Sequence, residues 1–243
     1  MDKKKFRDEH NLFVAEGIRI VTDLLRMGAG VKLVVSSNDK FENTEVEIIR
    51  CKASDMEKIS LMKTVPEVIA LVEIPDYSLS ISDLYNKLTI CLDGIQDPGN
   101  MGTIVRIANW FGIEHIICST DCADIYNPKV VQASMGALIG VKVHYLELQA
   151  CIKELKKNQD YNVYGSFMDG NSIYDTRLNS NGLLVMGNEG KGISDKVRGQ
   201  LTSYISIPTF ANQFKGAESL NVGVAAGIIL SEFKRQALLN KGN

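Results

Sequence analysis

The sequence is short of the residues that usually announce a metal site or an oxidised framework. Its five cysteines (Cys51, Cys91, Cys118, Cys122 and Cys151) are scattered, with no CxxC pair and no zinc spacing. An odd, unpatterned set implies reduced thiols and a cytoplasmic setting. The three histidines, His10, His115 and His144, stand apart from one another, so no metal is expected. Long apolar runs are also missing. The longest, "VGVAAGIIL" at 222–230, is far too short to span a bilayer, so no membrane partner is expected. The charged start "MDKKKFRDEHN" is followed by no apolar segment and is not read as a signal peptide. An excess of one charge is lacking too: 27 basic against 29 acidic residues leave a net charge of −2. No global basic field therefore advertises a nucleic-acid partner, although a local basic surface is not excluded. The cluster "KKKFR" at 3–7 is read as a solvated terminal tail.

What is present is an ordinary globular composition, 45% hydrophobic and 23% charged, over 243 residues. Two regimes follow one another. Residues 1–75 read as helix, strand, strand, helix, strand. Apolar residues at helical spacing predict a helix over 13–28 that ends at Gly28. "VKLVVSS", "EVEIIRC" and "EVIALVEIP" read as strands, and "ASDMEKISLM" as a short helix. Residues 76–87, richer in Ser, Asp and Asn, form a linker or connecting helix. From 88 to 243 the pattern becomes strand, turn, helix, repeated. The strands are "LTICLDG", "HIICS", "KVHYL", "NVYGSF", "LLVMG" and "YISIP", and the helices lie around 101–111, 128–138, 147–157, 193–201 and 219–237. Such alternation predicts an α/β fold with a parallel sheet covered on both faces.

Ligands of parallel sheets bind beyond the carboxyl ends of the strands, and three strand ends here carry unusual turns. In "LDGIQDPGNMGTIVRIANWFG" (92–112), Asp97-Pro98-Gly99 is turn chemistry and Asn100 is the expected N-cap of the next helix. Arg106 lies about 200° around from the core residue Ile104 and shares its outer face with Trp110. Spacing alone does not separate a functional arginine from a solvated one lying over an aromatic. In "LLVMGNEGKGIS" (183–194), the glycines at 187, 190 and 192 match neither the dinucleotide order G-x-G-x-x-G nor a P-loop. An ordinary nucleotide-dependent oxidoreductase is disfavoured on the same ground. The glycines allow close backbone approach to a ligand, while Glu189 would repel a phosphate and suits a cation or a hydroxyl. In "ISIPTFANQFKGAESLNVGVAAGIILSEFKRQ" (205–236), Ser219 is the expected N-cap of a buried helix. Asn221 is polar within its first turn and needs partners. Gly223 and Gly227 share a face that another backbone can approach.

In this order, "DPGNMGTIVRIA", "VMGNEGKGIS" and "IPTFANQFKGAESLNVGVA" resemble the signature motifs of the SpoU/TrmH family of RNA 2′-O-ribose methyltransferases, within the SPOUT superfamily. The resemblance runs over 88–236, and "FVAEGIRIVTDLL" is similar to the start of the small RNA-binding domain that many members carry. It implies a parallel-sheet domain whose C-terminal chain threads into a trefoil knot, a topology otherwise nearly absent from proteins. It also implies S-adenosylmethionine as cofactor, a homodimer, and RNA bound across both subunits. By the same resemblance, backbone at Gly187, Ile207 and Leu220 grips the cofactor, beside Met186, Gly192 and Pro208. Asn100, Arg106, Glu189, Ser219 and Asn221 take the family's polar active-site positions. Two departures stand out. The segment 209–218 is longer than in many members, and Gly223 replaces a common serine or alanine.

The expected reaction is methyl transfer to a ribose 2′-hydroxyl. Arg106 assists deprotonation or steadies the developing alkoxide, and Asn100, Ser219 and Asn221 orient the ribose and the first helical turn. Glu189 orders either Arg106 or the ribose. Residues 1–75 would read RNA, and ribosomal RNA is expected ahead of tRNA. A non-catalytic RNA-binding or ribosome-assembly factor on the same fold is the competing expectation.

Overall fold

The computed structural model describes residues 1–41, 44–210 and 219–240. The chain begins with helix α1 (Lys4–His10), strand β1 (Leu12–Glu16) and helix α2 (Ile18–Arg26), followed by β2 (Val31–Ser36), β3 (Glu47–Arg50), α3 (Ala53–Ile59) and β4 (Val68–Glu73). The strands form a mixed sheet in the order β1-β4-β2-β3, with β2/β3 parallel and both β4 pairings antiparallel.

Two expectations fail in this part. The predicted helix over 13–28 is a strand followed by a helix. Gly17 separates them at φ +105°, a conformation closed to other residues, and its N–H donates to Val68 O, fixing β1 against β4. Phe13, Val14 and Ala15 are buried as strand residues, whereas Ile20, Val21 and Leu24 supply the true helical stripe. The basic start is not a loose tail. Arg7 is only 2% exposed, donates through Nη1 to Met1 O and Asp2 O, and pairs through Nη2 with Asp124 Oδ2 at 2.5 Å.

A 3₁₀ turn (Ile81–Leu84), capped by Ser80 and Asp83, leads into the second sheet. That part contains β5 (Leu88–Asp93), α4 (Pro98–Trp110), β6 (His115–Cys118), α5 (Pro128–Ser134), β7 (Lys142–Tyr145) and α6 (Leu148–Leu155). It continues with β8 (Val163–Ser172), β9 (Gly182–Gly187), α7 (Asp195–Arg198), β10 (Ser203–Ser206) and α8 (Val222–Leu239). The six strands run parallel in the order β10-β8-β9-β5-β6-β7, as the alternation of strands and helices requires.

Side chains alternate across this sheet with period two. Ile90, Leu92, Ile116, Leu184 and Met186 join a cluster with α4, α5 and α8. Cys91, Ile117, Leu183 and Val185 face the opposite way, against α6, α7 and the 3₁₀ turn. The first cluster continues to the four-stranded sheet and α2 through Phe13, Ala15 and Val21, and the Phe13 and Tyr126 rings lie 5.0 Å apart. The two sheets therefore share one core. Gly223 faces α4 as its spacing suggested: a Cβ there would lie 2.8 Å from Thr103 Cγ2. All five cysteines are free thiols, four of them buried. No helix among the described residues is long and apolar enough to cross a membrane.

Candidate active site

Strands β5 and β9 are neighbours, with Asp93 beside Gly187 at their carboxyl ends. The helix after β5 lies on one face of the sheet and the helix after β9 on the other, so the connecting turns diverge and leave a crevice.

The first wall is the start of α4. Its N-cap is Asp97, not Asn100 as expected. Pro98 occupies the first helical position and Asp97 Oδ1 accepts from Asn100 N at 2.8 Å. With its backbone N–H already satisfied, Asn100 is free to send its side-chain amide into the crevice. The second wall is the loop after β9. Asn188 braces it: Oδ1 accepts from Gly190 N and Lys191 N, and Nδ2 donates to Gly94 O at 2.7 Å. Ser194 N donates to Asp93 Oδ2 at 2.7 Å, tying the far end of the loop to β5. Gly187 is required here, because a Cβ would lie 2.4 Å from the backbone of Gly192 and Ile193.

The third wall is the start of α8. Asn221, and not Ser219, is its N-cap: Oδ1 accepts from Gly223 N at 3.0 Å and Val224 N at 3.2 Å. That leaves Nδ2 to donate outward, to Asn100 Oδ1 at 2.8 Å and Glu189 Oε1 at 3.3 Å. Asn100 Nδ2 also donates to Glu189 Oε1. Three residues from three separate motifs thus form one polar cluster.

Arg106 stands on the exposed face of α4, as does Trp110, which is 84% exposed. Glu189 does not order it: the Glu189 carboxylate is engaged by the two asparagines, while Arg106 Nη1 lies 3.1 Å from Met135 Sδ. Among the described residues Arg106 makes no ion pair. Met135 ends α5 in the left-handed region at φ +50°, a conformation that costs a non-glycine residue about 1–2 kcal/mol.

The remaining expected residues are dispersed around this cluster. Met186 is buried in the core, so it can offer a ligand only backbone. Gly187 and Gly192 meet where the loop folds back. Ile207 and Pro208 follow β10 half-buried, and Ser219 and Leu220 are exposed just ahead of Asn221. The long segment 209–218 lies, from 211 onward, outside the described residues.

Sequence reasoning passed over three residues. Asp97 was legible, since Asp-Pro-Gly places proline at the first helical position. Asn188, which precedes an acidic and a glycine residue, carries the signature of an Asx turn. Met135 left no sequence signal.

The chemistry the cluster itself offers is a carboxylate and two fixed amides; the Arg106 guanidinium, further along α4, makes no hydrogen bond to them and contacts Met135 instead. Such a cluster can hold a sugar hydroxyl. Comparison with known proteins bears on this directly. Residues 87–231 match the model of the SpoU rRNA Methylase family, and residues 1–70 match the MRM3-like substrate binding domain. The chain belongs to the SpoU rRNA methylase family.

Among family relatives, the Bacillus subtilis 23S rRNA (guanosine(2553)-2′-O)-methyltransferase RlmP is 27% identical, the match covering 93% of this chain and 90% of that protein. A solved structure of a TrmH-family protein from Porphyromonas gingivalis is 35% identical, with a TM-score of 0.85 over 97% of this chain and 94% of that one. The SpoU methyltransferase AviRb from Streptomyces viridochromogenes, solved with AdoMet, is 25% identical, with a TM-score of 0.83 over 97% and 94% of the two chains.

Proposed function

We propose that this protein is an S-adenosylmethionine-dependent methyltransferase that modifies a ribose 2′-hydroxyl in ribosomal RNA. The observation that carries the reading is the meeting of Asn100, Glu189 and Asn221 at the carboxyl ends of β5 and β9, with Arg106 on the same helix as Asn100. Relatives whose names specify 23S rRNA 2′-O-methylation support the ribosomal substrate.

The residues beside the cluster suit the cofactor. Gly187, Ile207, Pro208 and Leu220 offer backbone and apolar surface, appropriate to a planar adenine, with no charged side chain among them. Gly187 and Gly192 keep the loop after β9 closed against its strand without a Cβ in the way. When bound, S-adenosylmethionine supplies a methyl group activated on a sulfonium. The protein's own contribution is orientation and electrostatics. A ribose hydroxyl is a weak acid and remains protonated near neutral pH. Asn100, Asn221 and Glu189 hold the sugar, and Ser219 stands at the entrance to the same turn. Arg106 places positive charge where the alkoxide develops, a contribution of about 2.7–4 kcal/mol if it resembles an oxyanion-hole donor. In its charged form it has no free lone pair to accept the hydroxyl proton, and it is too weakly acidic to become a neutral base near neutral pH. Fixing the hydroxyl in line with the methyl group supplies much of the remaining acceleration.

The N-terminal domain, residues 1–75, is the RNA-reading part of this proposal. We place the active form as a homodimer in the cytoplasm, with the C-terminal chain threaded as a knot. Supporting the dimer are the exposed Trp110 on α4 and the exposed Val224 and Leu238 on α8. Incubation of the protein with methyl-labelled S-adenosylmethionine and either ribosomal RNA or tRNA tests the function. Label in alkali-resistant dinucleotides of ribosomal RNA is expected. Label confined to tRNA would remove the ribosomal assignment, and binding of cofactor with no transfer would remove the enzyme.

A further inference from the structure

The contact between Arg106 and Met135 belongs to a longer connection. Helix α5 lies between α4 and the N-terminal domain. One turn before Met135, Gln132 Nε2 is 3.0 Å from Met62 Sδ and 3.4 Å from Glu16 O, both in the N-terminal domain. The loop carrying Met62 is fixed in turn by the buried Glu16 carboxylate, which accepts from Ser60 Oγ at 2.6 Å and Leu61 N at 2.9 Å. Immediately after Met135, Gly136 turns left-handed at φ +85° against Asp23 of α2. The left-handed pair at 135–136 is therefore clasped by the substrate domain from two sides, and its one exposed side chain reaches the guanidinium.

We propose that Met135 is a positioning residue for Arg106, and that the N-terminal domain sets it through Gln132. The inference rests on the reading of Arg106 as the group that stabilises the ribose nucleophile. A thioether suits this task. It is a weak, uncharged acceptor, so it restrains a long flexible side chain without consuming its charge. A carboxylate in its place would bind the guanidinium through charge-assisted hydrogen bonds and compete with the substrate. An alkyl chain would leave the arginine to sample its rotamers and pay their entropy at each turnover. Strained left-handed geometry at a non-glycine residue is of the kind that clusters at functional sites.

The test uses the full chain, with the RNA identified by the labelling experiment, under single-turnover and steady-state conditions. Met135→Leu, which keeps volume and loses the acceptor, is expected to lower kcat about fivefold with the KM for RNA within about twofold of wild type. Met135→Gln, whose amide oxygen restores an acceptor, is expected to recover most of that loss. Gln132→Leu is expected to lower kcat in the same sense, and its effect should be non-additive with Met135→Leu. A second readout is independent of turnover. In protein carrying methyl-labelled methionine, the Met135 resonance, assigned by its loss in Met135→Leu, is expected to move in both Arg106→Ala and Gln132→Leu.

An unchanged kcat in Met135→Leu, a loss confined to KM, or a Met135→Gln variant no better than Leu would overturn the inference. So would a Met135 resonance indifferent to Arg106→Ala. If Arg106→Ala itself retains transfer, it is the underlying reading of the site that fails. If Arg106→Ala abolishes transfer while Met135→Leu behaves as wild type, only the positioning role fails.

Discussion

Asn221 Nδ2 lies 2.8 Å from Asn100 Oδ1, and the two residues are 121 positions apart in the chain. One atom of Asn221 caps α8 and the other reaches across to α4. The residue thereby fixes the orientation of its own amide: Oδ1 is held by the N–H groups of Gly223 and Val224, so Nδ2 must point into the crevice. Helix capping and site assembly are a single act here.

That double duty can be separated by substitution. Asn221→Asp keeps an excellent cap and adds a charge favourable at a helix N-terminus. It also removes the outward donor and places a second carboxylate beside Glu189. The expected result is unfolding stability within about 1 kcal/mol of wild type with methyl transfer reduced about 100-fold or more. Asn221→Ala is expected to lose both, including about 1 kcal/mol of stability. Urea unfolding and single-turnover transfer on the same preparations check the pair. An Asn221→Asp variant with wild-type transfer, activity falling only in Asn221→Ala where the cap is lost, would show that only the cap matters.

Arg106 makes a cleaner case, because among the described residues its exposed side chain makes no hydrogen bond or ion pair beyond the Met135 contact. Arg106→Ala is expected to cut transfer about 100- to 1000-fold, the range for loss of one preorganised donor to a developing oxyanion. Affinity for S-adenosylmethionine, measured by calorimetry, should stay within about twofold. Arg106→Lys is expected to recover only a small part, since a point charge does not reproduce the guanidinium fork.

The features legible in the sequence were those written locally. Strand, turn and helix alternation from Leu88 onward predicted the parallel sheet, because buried central strands must be apolar on both faces. The three glycine- and asparagine-bearing turns marked the site for the same local reason. Misreadings arose where a distant partner decides. Phe13 and Val14 fall on the helical stripe of Ile20 and Leu24, and only the pairing of β1 with β4 makes them strand. Both expected caps missed the true one by two or three residues, since Asp97 and Asn221 compete with neighbours of nearly equal propensity. Arg7 looked like solvated tail because its partner, Asp124, lies 117 residues away.

The Arg7–Asp124 pair anchors α1 to the loop after β6 and carries a prediction about stability. Arg7 is 2% and Asp124 19% exposed. Removing one member of a buried pair leaves the other charged and unpaired, at a cost of about 3 kcal/mol, the lower end of the usual range given the partial exposure of Asp124. Asp124→Ala is expected to show that loss in urea unfolding. Arg7→Met should cost less, about 1 kcal/mol, because its stem packing survives and the carboxylate it leaves behind, Asp124, is 19% exposed and keeps its hydrogen bond from Tyr126 N. The double variant should lie closer to Arg7→Met than to Asp124→Ala. If the single variants are equally mild, the pair is not buried in solution.

The stacked histidines His115 and His144, with Nδ1 and Nε2 3.1 Å apart, supply a pH dependence. Burial first, and then the neighbouring His115 and Lys142, press His144 down to about 4; Asp83 opposes them weakly. His115 is lowered as well, by burial first, against Glu114, which raises it, and with Lys87 and Lys142, which lower it. The His144 ring stays neutral in the folded protein at a pH where an unfolded histidine, at 6.5, already binds a proton, and the His115 shift acts in the same direction. The unfolded state then holds more protons, so stability rises with pH in this window. The contribution is fully present above about 6.5 and is lost as the pH falls towards 4. Glu114, held at about 2 by Lys87 and Lys142, loses its contribution only at lower pH, as it falls through that value. Between about pH 7 and about pH 5 the histidines therefore act alone among these groups, and His144 is expected to account for about 2 kcal/mol. That corresponds to a fall in Tm of roughly 4–8 °C for a chain of this size. His144→Gln, neutral throughout, should show a fall smaller by that amount in thermal melts at the two pH values. Parallel melting profiles for wild type and variant would place the acid sensitivity elsewhere in the molecule.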